Sequence, residues 1–582
     1  MDEEDVLGHL DSDGSDFEAD QSDDAYSESS AESDDQESVS PVVGALQSAR
    51  EGARGQRSGR GRRAVRCRRA AVQSDPDADW SEVIADVVEG EGYELADGVP
   101  DFTVRQPGFS NIPDDRVTPL QFFELFITTP LISTMVRETN RYAAEYIASL
   151  GSLKPDSRFR RWKDCTAEEM RRYIALRINM GIVKKKNTYD YWRKKFPNMD
   201  TPFFRDTMSY GRFVLIHRFF HLCNNERQPR RGEQGFDPWY KVRNLLDPLN
   251  RCFKQYFRPY QLVSIDESMV GMRNRNIYIQ YLPNKRHSRF GIKKFQLCDS
   301  KTGYVMHVEL YSGRDFDIRS EEGQAITVVK HLMSSCNMYN KGYHLVTDNY
   351  YTKPSLAEDL FAQGTMLTGT VRLNSRGYPK SLGNACLQVQ DSKYMKSNSG
   401  IILACAYRDK PSQRKPVLLL STGTKPVTHR TSRRAREQSK PAMVLLYNKG
   451  MGGVDLSDKK VYHIAAERAT HRYWVKVAWN LIDITLRNCH ELFKLKNPDT
   501  KMDITDFVSK IVMQLVGPIV DNEEEQATAD GHQLTQVPGK RERDCVVCSD
   551  RSAKIRKRSR TWCAACKMGC HLGCYENFNH KL

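Results

Sequence analysis

His344-Leu-Val-Thr-Asp348-Asn-Tyr-Tyr-Thr352 sets a carboxylate directly after a short apolar run that reads as a buried strand, and follows it with two aromatics. What surrounds it gives the strand a place. Upstream, Ala325 to Tyr339 puts Ile326, Val329, Met333 and Cys336 on one helical face, and Gly342 breaks that helix. Downstream, a helix from about Pro354 to Ala362 leads to one more strand, Met366 to Arg372. Alternating helices and strands of this kind predict a parallel sheet.

Before the first of these helices the texture is different. From Gln261, QLVSIDESMVGM, IYIQYL, IKKFQLCDS and YVMHVELYSG are short, partly alternating segments rich in β-branched and aromatic residues, separated by turn residues such as Lys301-Thr-Gly303. They read as a three-strand antiparallel meander whose first strand carries Asp266. A meander followed by alternating helices and parallel strands is the order of an RNase H-like fold. In that fold the first strand and the later parallel strand lie side by side, so Asp266 and Asp348 are expected to converge across 82 residues of sequence. MVLLYNKGMGGVDLSDKK then supplies Asp455 and Asp458 at the mouth of a helical region, with Asp455 placed to close the cluster.

Two carboxylates about 4 Å apart repel by about 4 kcal/mol at an effective dielectric of 20, so such a cluster calls for bound cations. Oxygen ligands without His or Cys favour Mg²⁺ or Mn²⁺. Two such ions can activate a water or 3′-hydroxyl and stabilise the leaving oxygen in a phosphoryl displacement. Each carboxylate also has a plainer use. Asp266-Glu267 reads alone as a solvated acidic pair, Asp348-Asn349 as an Asx turn, and Asp455 to Asp458 as a helix cap with an acidic first turn. Their joint order around the predicted elements favours the cluster.

The rest of the 582-residue chain fits a polyanion-binding protein. Its net charge is +14, yet residues 1–40 hold sixteen Asp and Glu and no Lys or Arg, which leaves +30 on residues 41–582. No signal peptide opens the sequence and no long apolar run follows, so the fifteen Cys are read as reduced and the protein as intracellular. Residues 1–100 combine the acidic tract with an Arg/Gly run, Arg50 to Arg69, and are expected to be a disordered tail. Ser12 and Ser15 are potential phosphorylation sites, and the Arg run is either a nuclear-import signal, a DNA-brushing arm or a solvated linker. Order is expected from Thr118, where Pro119 starts a helix; a capping-box pattern, Thr166-Ala-Glu-Glu169, starts another. Further helices are expected through Leu249.

SIDESMVGM, YLPNKRHSRFGIKKFQLCDSKTGY, VTDNYYT, GTVRLNSRGYP and NKGMGGVDLSD resemble successive blocks of the piggyBac transposase family. The likeness extends to PLQFFELFITT and RETNRYA upstream and to the Cys-rich end downstream, covering about 118 to 582 with gaps. It implies that Asp266, Asp348 and Asp455 are the catalytic aspartates and that Asp458 adds to metal binding. It further implies a cut-and-paste DNA transposase that works through a hairpin intermediate and joins 3′ ends into TTAA targets. The organisation expected is a helical dimerisation and DNA-binding region at 118–258, an RNase H-like core at 259–372 and 441–515, and a basic insertion domain at 373–440. A linker at 516–540 and a zinc-binding domain at 541–582 complete it. The partners implied are terminal inverted repeats, TTAA target DNA and a second copy of the chain in a dimer or larger synaptic assembly.

Arg273, Arg275, Lys285, Lys293, Arg372 and Arg376 flank the strands that hold Asp266 and Asp348 and are the expected phosphate contacts. Tyr350, Tyr351 and Trp474 are possible stacking partners for distorted bases, with at least one expected in the core instead. The insertion interval is itself rich in Lys and Arg, including Arg408, Lys410, Arg414 and Arg430. At the C-terminus, Cys545-x₂-Cys548, Cys563-x₂-Cys566, Cys570-x₃-Cys574 and His580 have zinc spacing. Seven ligands fall one short of two closed sites, and His571 is the candidate for the eighth. A domesticated DNA-binding protein would need the zinc module but not four aspartates, and a RING-type ubiquitin ligase explains the zinc spacing alone. The expectation is therefore a nuclear, metal-dependent DNA transposase.

Overall fold

A computed structural model describes residues 77–517 and 534–577, apart from short stretches within them. The acidic tract, the Arg run, Ser12 and Ser15 lie outside the described residues. The chain divides into two compact units, residues 1–516 and 517–582.

The first unit opens with two strands, β1 (Trp80–Val83) and β2 (Asp86–Glu89). Residues 80–83 and 86–89, which the sequence reading places in a disordered tail, are therefore strands. Nothing in WSEV or DVVE supplies a core of its own; both segments are ordered by pairing with strands more than 300 residues later. Helices follow: α1 (Pro119–Glu124), α2 (Thr129–Ser149), α3 (Ala167–Ile182), α4 (Pro202–Thr207), α5 (Tyr210–Phe219) and α6 (Tyr240–Tyr256). The Thr166/Glu169 capping box forms as expected, with Glu169 N on Thr166 Oγ1 and Thr166 N on Glu169 Oε2, both at 3.1 Å. Thr118 and Gln121 make a second one ahead of α1. Their buried faces, including Phe122, Phe126, Met135, Ile174 and Ile178, are those the helical spacing marks.

The sheet begins with β3 (Leu262–Gly271), β4 (Ile279–Tyr281), β5 (Phe290–Asp299) and β6 (Val305–Leu310), with β3, β4 and β6 each antiparallel to β5. Helix α7 (Gln324–Ser335) crosses to β7 (His344–Thr347), and α8 (Pro354–Ala362) crosses to β8 (Met366–Thr370). Strand β7 runs parallel to both β3 and β8. Its four residues are all buried, as a strand covered on both faces requires. This is the RNase H-like order, within a mixed α/β protein.

The insertion does not form a separate body. Strands β9 (Ser392–Ser397), β10 (Leu403–Tyr407) and β11 (Val417–Ser421) extend the same sheet beyond β8, and β1 takes its far edge. Strands β12 (Val427–Arg433) and β13 (Arg436–Pro441) pair with β2 as a small second sheet. Tyr394, Leu403, Cys405, Tyr407, Leu419 and Met443 form a local core there.

Helices α9 (Ala442–Gly450) and α10 (Gly453–Ile464) return the chain to the first strands, followed by α11 (Tyr473–Lys496) and α12 (Ile504–Val516). Helix α11 is buried along nearly its whole length. Its Asn488 amide donates to Val305 O at 2.9 Å and accepts from Val305 N at 3.0 Å, and Asn250 of α6 does the same for Val308. The open edge of β6 is thereby satisfied by side chains, which explains why two asparagines sit in the core.

Gly342, just before β7, has φ +70°, and a Cβ there would stand 2.1 Å from the Asp101 carbonyl oxygen. Gly400 has φ +73° with only the end of Lys396, 4.0 Å away, as neighbour. Gly400→Ala should cost only the left-handed strain, about 1 kcal/mol. Gly342→Ala should lower stability by clearly more in urea unfolding; equal losses would show that the 101–342 contact contributes nothing.

Candidate active site

Leu262 to Ile265 of β3 lie in register with His344 to Thr347 of β7, so the next residue on each strand is Asp266 and Asp348. The structure brings the two together: oxygens of Asp266, Glu267 and Asp348 lie within 4.8 Å of one another. Asp348 Oδ1 accepts from Tyr350 N at 2.9 Å, so the Asx turn and the cluster are both real uses of one side chain. Burial raises the Asp348 carboxyl above its ordinary value, and the nearby Glu267 charge adds to that. Lys293 donates to Glu267 Oε1 at 3.0 Å and is the cation that this crowding requires.

Helix α10 faces the same strip of β3. Ser264, Asp266 and Ser268 share one face of the strand. A Cβ on Gly453 would come within 2.5 Å of Ser264 Oγ, so glycine lets the helix start close to the strand. Three residues apart, Asp455 and Asp458 share a helix face. Asp458 Oδ1 accepts from Ser268 Oγ at 2.7 Å. Asp455 stands outside the tight carboxylate group, but it is close enough to act on a shared neighbour. Burial raises the Tyr447 phenol, and the charges of Asp348, Asp266 and Asp455 push it further in the same direction. The tight carboxylate group consists of Asp266, Glu267 and Asp348, while Asp458 reaches β3 through Ser268. The group's donor set is all oxygen, which suits a hard divalent cation. Glu267 was not singled out by the sequence, because alternation along a strand would send it to the opposite face.

The basic candidates divide. Arg372 and Arg376 are exposed and line a cleft beside Asp348 together with Asn349, Tyr350, Lys353 and Trp80. Arg372 Nε donates to Asn349 Oδ1 at 3.1 Å. Arg273 is exposed, with its guanidinium 5.8 Å from the Phe290 ring. Arg275 and Lys285 lie outside the described residues. Lys293 corrects the expectation: it is only 9% exposed, committed to Glu267 and packed over Phe295 and Tyr350. Its ammonium is therefore engaged by a carboxylate in this structure. Trp474 is a second correction, since it is buried against Phe220 and His221 in the helical core. Tyr351 is buried as well, and Tyr350 is half-buried at the cleft. No periodic signal separates these aromatics in the sequence. In the insertion, Lys410, Arg414 and Arg430 are exposed, while Arg408 donates to Leu387 O at 2.9 Å.

In the second unit, ligand atoms of Cys545, Cys548, His571 and Cys574 lie within 4.8 Å of one another, with Cys548 Sγ 3.2 Å from His571 Nδ1. Three thiols and one imidazole match a closed tetrahedral zinc site. His571 thus joins the first set of ligands. Although burial opposes it, amide hydrogen bonds from His571, Cys548 and Val547 pull the Cys545 thiol down to about 6, so a thiolate ligand is prepared. Cys563 and Cys570 are buried in the same small core. Cys566 and His580 lie outside the described residues.

Comparison with known proteins agrees with this architecture. The family model described as Transposase IS4 matches residues 118–490. PiggyBac transposable element-derived protein 2 of Homo sapiens is 24% identical over 426 residues, 70% of this chain and 67% of that protein. PiggyBac transposable element-derived protein 3 of Homo sapiens is 24% identical over 407 residues, 68% of this chain and 64% of that protein. A solved piggyBac transposase synaptic complex with hairpin DNA has the same fold, with a TM-score of 0.62 and 23% identity over 80% of this chain and 97% of that one. Among the described residues no helix is long and apolar enough to cross a membrane.

The raised Asp348 carboxyl has a consequence for stability. A carboxyl raised in the folded state contributes a penalty that develops as pH rises through its ordinary value of 3.8 and is complete once pH exceeds the raised value. Asp348→Asn keeps the Oδ1 turn acceptor but removes the charge. It should therefore raise the thermal midpoint of the metal-free protein at pH 7 and abolish the stabilisation that Mn²⁺ gives the wild type. A lowered midpoint with undiminished Mn²⁺ response would contradict the site.

Proposed function

Because the chain belongs to the piggyBac transposase family, we propose that it is a DNA transposase that excises an element through a hairpin intermediate and joins the 3′ ends into TTAA sites. The observation that carries this reading is the side-by-side placement of Asp266, midway along β3, and Asp348, just past the end of the parallel strand β7, with α10 packed against β3. Asp266, Asp348, Asp455 and Asp458 would hold Mg²⁺ or Mn²⁺, which supplies activation of a hydroxyl nucleophile and stabilisation of the leaving oxygen. Arg372 and Arg376, open in the adjoining cleft, are suited to fix a DNA strand by its phosphates. Lys293 keeps Glu267 ionised without competing for the aspartates. The remaining partners follow from charge: +30 on residues 41–582 suits a long DNA duplex. Assembly as a dimer or larger synaptic complex, contact of the 118–258 helices with that DNA, and action in the nucleus belong to the same proposal.

Full-length protein, Mg²⁺ and a duplex containing the terminal repeats that flank its gene should give nicked, hairpin and excised products. Asp266→Asn, Asp348→Asn and Asp455→Asn should each abolish cleavage, by more than about 100-fold, while band-shift affinity for the same duplex changes little. Asp458→Asn should weaken cleavage less. Tight binding without cleavage by the wild type would identify a transposase-derived DNA-binding protein instead.

The C-terminal module is the proposed reader of element ends, with zinc as its structural ion. Sites of this kind supply about 10–16 kcal/mol of apparent binding energy to domains too small for a large core. Cys548→Ser, or chelation, should unfold residues 541–582 and remove preference for element ends over random DNA. The thermal transition of the first unit should stay in place. Undiminished end preference would refute the recognition role.

A further inference from the structure

Away from both the aspartates and the cysteines, a third group of ligating side chains converges. His307 and Glu309, two residues apart on β6, project from the same face of the strand. His331 comes from α7, which lies against that strand. The ligand atoms of the three lie within 4.8 Å of one another. Glu309 Oε2 is 3.5 Å from His307 Nε2 and 3.2 Å from His331 Nε2, and Ser335 Oγ is 3.5 Å from the same His331 nitrogen. His307 is 8% exposed, and the Glu309 side chain 16%.

As a hydrogen-bond network alone this arrangement leaves one buried imidazole nitrogen unused. One carboxylate oxygen faces both imidazole Nε2 atoms, and His307 Nδ1 is buried without a hydrogen-bond partner. The spacing has a ready explanation. Zinc bonds of about 2.0–2.2 Å to nitrogen and oxygen set tetrahedral ligand edges of about 3.3 Å. The two measured separations bracket that value. Lys254, whose ammonium donates to Ser335 O at 2.8 Å, is the nearby positive group such a site must tolerate.

We propose that His307, Glu309 and His331 form a transition-metal site, with Zn²⁺ as the fitting ion, that clamps β6 to α7. Two imidazoles and a carboxylate select zinc and its neighbours over Mg²⁺, so this site and the aspartate cluster take different ions from the same solution. A water or Ser335 Oγ completes the coordination. The clamp joins elements on either side of the active site: β6 pairs with β5, the neighbour of β3, and α7 leads into β7.

The test uses the full chain, stripped of metal and titrated with ZnCl₂. Wild type should retain one more zinc per chain than His331→Gln, whose altered side chain is partly exposed and tolerates replacement. Cys548→Ser should keep that ion while losing the one held by the cysteines. Added Zn²⁺, but not Mg²⁺, should raise the thermal midpoint of the first unit in wild type and Cys548→Ser, and not in His331→Gln. A zinc-edge anomalous map of wild-type crystals needs no variant and should place a peak among the three side chains. Equal zinc content in wild type and His331→Gln, or anomalous peaks confined to the cysteines, would overturn the site and leave a hydrogen-bonded triad.

Discussion

Two carboxylates held side by side, Asp266 within β3 and Asp348 just past the end of the parallel strand β7, are the constraint around which this protein is arranged. The β3 and β7 register places Asp266 and Asp348 together, and burial makes their charge costly. Several unrelated features answer that cost. Lys293 is buried beside them as a counter-ion for Glu267, Gly453 lets α10 approach β3 closely enough for Asp458 to reach Ser268, and Tyr350 N satisfies one oxygen of Asp348. None of these repays all of the repulsion, and a divalent cation would.

Much of this was legible in the sequence because its signals are local. The strand through Thr347, the helix at Pro354–Ala362 and the Thr166 capping box all appear where spacing and caps put them. The order of meander and parallel strands then forced Asp266 next to Asp348. The features that were missed depend on partners remote in the chain. Strands β1 and β2 are short and polar, and only the insertion makes them strands. A Lys or Trp in sequence carries no mark of whether it faces solvent, so Lys293 and Trp474 looked like DNA contacts although tertiary packing buries both. Likewise, spacing favoured the cysteines and offered His571 only as a candidate eighth ligand, while the fold brings its Nδ1 to Cys548.

The insertion changes how the core is understood. By extending the catalytic sheet through β11, β10 and β9 rather than standing apart, it gives β8 a neighbour on its far side and leaves the parallel strands fully internal. The cleft containing Arg372 and Arg376 takes one wall from this extension and from β1, so the N-terminal segment and the insertion together shape the ground next to Asp348. At the opposite edge, Asn250 and Asn488 close β6 with side-chain amides. Both ends of the sheet are thus secured independently of the active site, which can remain electrostatically unfavourable until a cation arrives.

The claim that these aspartates surround one cation can be read directly from the full-length protein with Fe²⁺ as a stand-in for Mg²⁺. With ascorbate and peroxide, bound Fe²⁺ generates hydroxyl radicals that cut the backbone nearest to it, and mass spectrometry locates the cuts. The account predicts cleavage adjacent to Asp266, Asp348 and Asp455, suppressed together by excess Mg²⁺. Cuts at only one of these segments, or cuts that Mg²⁺ leaves unchanged, would contradict a shared metal site.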